Sequence, residues 1–84
     1  MTSAAARTFD LDLLRTFAAV RTTGGFTAAA RRLNSTQSTV SMQIRRLEAQ
    51  VGTTLFQRLG RSVQATTDGE RLAGYAGQLL ALND

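Results

Sequence analysis

Gln37, Ser38, Ser41, Met42 and Arg45 belong to one stretch, STQSTVSMQIRRLEAQVG, whose apolar residues Val40, Ile44, Leu47 and Val51 recur at helical spacing. At about 100° per residue, with Val40 set inward, Ser38, Met42 and Arg45 point nearly opposite the core, and Gln37 and Ser41 lie on a flank. The first two turns of that outward face carry hydrogen-bonding and apolar groups without charge. Gln can make paired hydrogen bonds to adenine, Ser donates or accepts, and Met can touch a thymine methyl. The chemistry on offer is the reading of base edges, and the short side chains suit a helix lying deep in a groove about 12 Å wide. A merely solvated face would carry Glu and Lys, whereas here Glu48 stands beyond the contact end. Helix capping accounts for Thr36 and for Ser38, but leaves Ser41 and Gln43, deeper in, to groove contact.

Composition leaves little room for other chemistry. The 84 residues contain no Cys and no His, so disulfides, thiolate metal sites and the usual proton shuttle are all missing. No paired carboxylates converge at helical spacing. An enzyme is therefore not expected, and neither a metal nor another cofactor is called for. All 10 basic residues are Arg, against 6 acids, for a net charge of +4. The planar guanidinium suits phosphate and the guanine edge, which favours a polyanionic partner. A base-composition bias in the source genome also explains Arg over Lys, but not the sign of the net charge. No apolar run approaches the ~20 residues that span a bilayer. Residues 1–8, MTSAAART, lack the apolar stretch of a signal peptide and are expected to be a disordered start to a cytoplasmic protein.

Four helices and a hairpin must position that face. Asp10 precedes LDLLRTFAAVRTT, a first helix predicted over about Leu11 to Thr23 and stopped by Gly24-Gly25. Leu11, Leu14, Phe17, Ala18 and Arg21 share one side of it, and Leu13, Phe17 and Val20 widen that side. A short second helix in FTAAARRLN uses Phe26, Ala29, Ala30 and Leu33, with Ala allowing close approach. Asn34 and Ser35 break the pattern, and Thr36 caps a third helix from Gln37 to about Val51. Leu55, Phe56 and Val63 around a Gly60-Arg61 turn read as two short strands in a hairpin. A fourth helix follows Thr66 or Thr67, with Asp68 and Glu70 near its positive end.

Two short helices joined by about three residues, preceded by a helix and followed by a hairpin, form the plan of a winged helix-turn-helix. Arg45 faces outward, where phosphate is the expected partner. Arg46 lies nearer the side and is equally suited to pair with Glu48. Arg31 and Arg32 are open between the nucleic-acid backbone and simple solvation. Arg61, at the tip of the wing, suits insertion into a narrow minor groove. Arg58, beside Leu55-Phe56, reads as a structural ion-pair partner. Leu72, Tyr75, Ala76, Leu79 and Leu82 give the fourth helix an apolar stripe, and dimerisation through it is the preferred reading over a lid on its own domain.

The segments LDLLRTFAAV, GGFTAAARRLNSTQSTVSMQIRRLEAQVGTTLFQR, the GR turn and TTDGERLAGYA resemble, in order and nearly without gaps, the N-terminal DNA-binding domain of the LysR-type transcriptional regulators. The resemblance covers about Phe9 to Asp84. It implies a helix-turn-helix motif at 26–45 and a long linker helix through which two subunits pair antiparallel. It implies base contacts from Gln37, Ser38, Ser41 and Met42 and a wing contact from Arg61, and Arg45, Thr27 and Thr36 complete the expected DNA-binding set. Three residues depart from the family pattern. Met42 stands where the family often has Arg, which replaces a guanine-directed contact with a thymine or apolar one. Ser35 replaces an apolar residue of the turn, which is expected to loosen the packing of the second helix on the third. Gln57 stands where an acid is common, which removes the expected partner of Arg58. The ending LAGYAGQLLALND is similar to a subset of the family linked to repression of motility and control of virulence traits.

The expected fold is therefore mainly α. Residues 9–66 form the winged helix-turn-helix, and 67–84 form a linker and dimerisation helix. The expected function is sequence-specific binding of double-stranded DNA at an inverted-repeat operator or promoter, by a homodimer whose recognition helices enter major grooves about 34 Å apart. The setting is the bacterial cytoplasm, on the nucleoid when bound. Family members continue into an effector-binding domain of the periplasmic-binding-protein type, so a small-molecule effector is expected only through that C-terminal domain, and a tetramer only in the full-length protein. The alternative is a helix-turn-helix scaffold used for protein–protein interaction, which requires apolar or acid-complementary residues at 37, 38 and 41.

Overall fold

Asp10 Oδ1 accepts the Asp12 N–H at 2.8 Å and opens helix α1, Leu11–Thr23. The helix ends where Gly24 turns left-handed at φ 78°, its N–H donating to the Val20 carbonyl, a conformation that favours glycine. In the computed structural model, which describes residues 10–83 and side chains as far as Ala81, α1 is followed by α2 (Phe26–Arg32), α3 (Gln37–Val51), strands β1 (Phe56–Leu59) and β2 (Ser62–Ala65), and α4 (Thr67–Asn83). The element order and the helix bounds follow the sequence expectation. The start expected to be disordered, residues 1–8, lies outside the described residues, as does the side chain of Leu82.

The turn between α2 and α3 is closed by backbone. Asn34 is left-handed at φ 55°, and the N–H groups of Asn34 and Ser35 donate to the carbonyls of Arg31 and Ala30, the pattern of a Schellman closure. Ser35 is exposed and contributes its backbone N–H to this closure. Buried Ala29 and Ala30 bring α2 close to α3, whose own buried residues are Val40, Ile44 and Leu47.

Phe17, Leu13, Leu14, Leu47, Leu55, Val20 and Val40 are the largest fully buried side chains. Each removes enough apolar surface from water to be worth about 1.5–3 kcal/mol. They come from α1, α3 and the approach to the wing, and Leu72 and Ala76 of α4 join the same cluster. The buried side of α1 is rotated from the one expected, because three helices pack around it. Thr16 and Ala19 are buried, Leu11 and Ala18 are only partly so, and Arg21 is exposed. Thr16 Oγ1 donates to Gln43 Oε1 on α3. Gln43 is therefore half-buried and committed to α1, which corrects its reading as a groove contact.

The wing is antiparallel, with Phe56 opposite Ala65 and Leu59 opposite Ser62. Its two-residue turn has positive φ at Gly60 alone, 66°, as a type II′ hairpin turn requires. Two bonds tie the wing and its approach to the helices, and a third, between Thr66 and Leu55, closes the base of the hairpin. The Val63 N–H donates to the Gly24 carbonyl at 3.0 Å, the Thr66 N–H to the Leu55 carbonyl at 2.9 Å, and the Leu55 N–H to Glu48 Oε2 at 2.7 Å. Thr66 caps α4, its Oγ1 accepting the Gly69 N–H at 3.0 Å.

Candidate nucleic-acid interface

Helix α3 buries Val40, Ile44 and Leu47 and turns Gln37, Ser38, Met42 and Arg45 to solvent, with Ser41 half-buried at the flank. Met42 is 41% exposed, a large apolar side chain left outside the core. Thr36 Oγ1 accepts the Thr39 N–H at 3.1 Å and donates to Thr39 Oγ1 at 3.0 Å. Its hydroxyl thus serves the helix N-terminus, and Ser38 is left out of the cap.

Two cavities separate this face from the wing. One, of about 350 Å³, has Thr27, Arg31, Gln37, Arg58 and Arg61 among its lining residues. Its walls hold three guanidinium groups and no carboxylate. The other, of about 160 Å³, lies between α3 and β1 and is lined in part by Ser41, Arg45, Arg58 and Glu48. Glu48 spends Oε2 on the Leu55 N–H there. The fold thus gathers Thr27, Gln37 and Arg61 around the first cavity and Ser41 and Arg45 around the second. Ser38 and Met42 stay on the open face of α3, outside both.

The arginines separate by surroundings. Arg31, Arg45, Arg58 and Arg61 are exposed, and none has a carboxylate or hydrogen-bond partner among the described residues. Arg31 joins the cavity beside the wing, whereas Arg32 lines a different one with Arg15, Leu33 and Leu80. Arg46 does not pair with Glu48, whose carboxylate is turned to the wing. Arg58 is not the ion-pair partner that its neighbours suggested. Its guanidinium carbon lies 5.3 Å from the centre of the Phe26 ring. No local signal could have found this, since Phe26 and Arg58 meet only through the fold.

On α4, Leu72 and Ala76 are buried in the chain's own core and Leu79 is half-buried against it. These residues serve the fold itself, because α4 lies along α1. Tyr75 is left facing solvent, 67% exposed.

The family described as "Bacterial regulatory helix-turn-helix protein, lysR family" matches residues 11–70. The chain belongs to that family. Among its lysR-family relatives, the HTH-type transcriptional regulator PecT of Dickeya dadantii (strain 3937) is 49% identical over 75 residues, covering 89% of this chain and 24% of PecT. The regulator DgdR of Burkholderia cepacia is 42% identical over 78 residues, covering 93% of this chain and 26% of DgdR. The chain thus spans about a quarter of the length of these two proteins. The CbnR DBD–DNA complex superposes with a TM-score of 0.85 at 32% identity, covering 89% of this chain and 86% of that one. The BenM DBD/benA site 1 DNA complex gives 0.85 at 38% identity, covering 90% and 85%. The three helices, the hairpin wing and the linker helix are accordingly the winged helix-turn-helix of a lysR-family DNA-binding domain. Among the described residues no helix is long and apolar enough to cross a membrane, and no group of three or more His, Cys, Asp and Glu could hold a metal ion.

Proposed function

We propose that this chain binds double-stranded DNA sequence-specifically, as the DNA-binding part of a dimeric bacterial transcriptional regulator acting in the cytoplasm. One observation carries the reading. The uncharged, short-chained face of α3 stands beside a cavity whose walls hold Arg31, Arg58 and Arg61 and no acid. A face of Gln37, Ser38, Ser41 and Met42 is suited to base edges in the major groove, and Arg61 at the wing tip is suited to the adjacent minor groove. Arg45 and the N–H groups at the start of α3 are suited to phosphate. Thr27, on α2 and on the wall of the same cavity, adds a hydroxyl beside that face. Two such units joined through α4 would read an inverted repeat. Relatives crystallised on DNA lend the reading support. A protein-docking use of this face finds no apolar or acid-complementary patch at 37, 38 and 41 to favour it.

The decisive measurement is fluorescence anisotropy with a duplex enriched from a random pool and an unselected duplex, at several salt concentrations. Tighter binding to the enriched duplex is expected, with an affinity that falls steeply as salt rises. An affinity indifferent to both sequence and salt would remove the DNA-binding reading.

A further inference from the structure

Arg58 is the residue that lines both cavities, together with Phe26 and Val63. It faces Gln37 and Arg61 across one, and Ser41 and Arg45 across the other. This position has a meaning that rests on the proposed binding mode. With α3 in a major groove and Arg61 in the neighbouring minor groove, the sugar-phosphate strand that divides the two grooves must pass between helix and wing. Arg58 occupies that place. We propose that Arg58 is a phosphate ligand for this dividing strand, and that Phe26 is a positioning residue that holds its guanidinium ready.

The support beneath Arg58 runs into the core. Fully buried Phe17 packs on Phe56 with ring centres 5.2 Å apart, and Phe56 meets Phe26 edge-on at 6.4 Å. The guanidinium of Arg58 caps this aromatic series at 5.3 Å from the Phe26 ring. A cation held over a ring is attracted to the π face without a hydrogen bond, which leaves the guanidinium N–H donors unspent. No carboxylate or hydrogen-bond acceptor among the described residues takes them. A long side chain already held beside a ring loses less freedom on binding an anion than a free one does. Phosphate fits better than a base, because the contact lies at the boundary of the two grooves and a phosphate oxygen accepts from the guanidinium fork.

Anisotropy titrations of R58Q across salt concentrations test the proposal, on the enriched and the unselected duplex. The loss of a charge-assisted contact is expected to weaken both by about tenfold, and to reduce the slope of log affinity against log salt by about one. An unchanged slope, or a loss confined to the enriched duplex, would overturn it. Methylphosphonate substitution along the enriched duplex gives a second readout, made by changing the DNA. Neutralising one phosphate between the half-site and the flanking minor groove should weaken the wild type and leave R58Q unaffected. If no phosphate behaves in this way, Arg58 is not its ligand. Phe26→Leu should weaken binding in the wild-type background and be silent with R58Q. Equal losses in both backgrounds would remove its positioning role. A wild type blind to salt and sequence would instead refute DNA binding itself, so the two failures are distinguishable.

Discussion

Thr16 Oγ1 donates to Gln43 Oε1, joining α1 to α3 at the edge of the apolar core. The bond fixes the rotation of α3 about its own axis, and with it the direction in which Gln37, Ser41 and Met42 point. Replacing Thr16 by Val keeps the shape and strands the half-buried Gln43 oxygen. Urea melts should show a loss of about 1–3 kcal/mol for Thr16→Val, and much of it should return in Thr16→Val with Gln43→Leu, where neither partner is left unpaired. Equal stability of the single variant and the wild type would show that the bond does not hold the helices together.

Gly69 sets how closely α4 approaches the wing. A Cβ built there would lie 2.3 Å from the Leu55 carbonyl oxygen, whereas at Gly74 and Gly77 it would meet nothing within 4 Å. Gly69→Ala should therefore cost about 1–3 kcal/mol through forced backbone displacement. Gly74→Ala and Gly77→Ala should each add roughly 0.5–1 kcal/mol by favouring helix. If α4 did not lie across Leu55, thermal melts would show Gly69→Ala stabilising the fold as the other two do.

The contrast between local and distant causes explains what was legible in the sequence. Asp10, Gly24, Thr36 and Gly60 each act on residues beside them, so helix ends and the hairpin turn followed from residue type. Gln37 and Gln43 are the instructive pair, since both lie at about 60° from the Val40 direction, on opposite flanks. Helical phase treats them alike. One flank meets the wing cavity and the other meets Thr16, and only the placement of α1 and the wing distinguishes them. Glu48 with Leu55, and Arg58 with Phe26, escaped the sequence for the same reason. Of the apolar stripe expected on α4, Leu72 and Ala76 enter the core and Tyr75 faces solvent, because the period alone could not tell a core that belongs to the chain from an exposed face.

Glu70 ties the start of α4 to the end of α1, with Arg21 donating through Nε at 3.2 Å and Nη2 at 2.7 Å. These hydrogen bonds hold the Glu70 carboxyl below its ordinary range, desolvation opposes them and the Arg21 charge adds to them. A lowered carboxylate value means stability that is present above the unfolded value and lost as pH falls through the folded one. The melting-temperature difference between wild type and Glu70→Gln should thus be steady from neutral pH to about 5 and close below about 4. Both residues are largely exposed, so added salt should shrink the same difference. A difference that grew in acid would contradict the pairing.

Tyr75 tests assembly more cleanly than the leucines of α4, because it is exposed while Leu72 is part of the core. With Gly74, Gln78 and Ala81 also exposed, α4 presents a face of small and polar groups around one aromatic ring, and this is the face through which we propose that two copies pair. Tyr75→Glu should leave the stability of the folded monomer within about 0.5 kcal/mol of wild type, as exposed substitutions do. Sedimentation should move it toward monomer, and affinity for an inverted repeat should fall while that for one half-site holds. An unchanged sedimentation profile would take Tyr75 out of the dimer contact.

Met42 is where the base preference of this domain should be set apart from one bearing Arg at the same position. It is an apolar side chain on the open face of α3, next to Ser38 and Ser41 and clear of both cavities. Its natural partner in a major groove is a thymine methyl, whereas an Arg there would seek the O6 and N7 of guanine. Met42→Arg should therefore move the enriched base at one position of each half-site from thymine to guanine, and raise the salt slope by about one. Gln37→Ala provides the comparison, costing about 1–3 kcal/mol on the enriched duplex and less on an unselected one. Selection from a random pool with both variants measures the two effects together. If Met42→Arg tightened binding to every duplex alike, the gain would be phosphate attraction alone, and position 42 would have no part in reading the base.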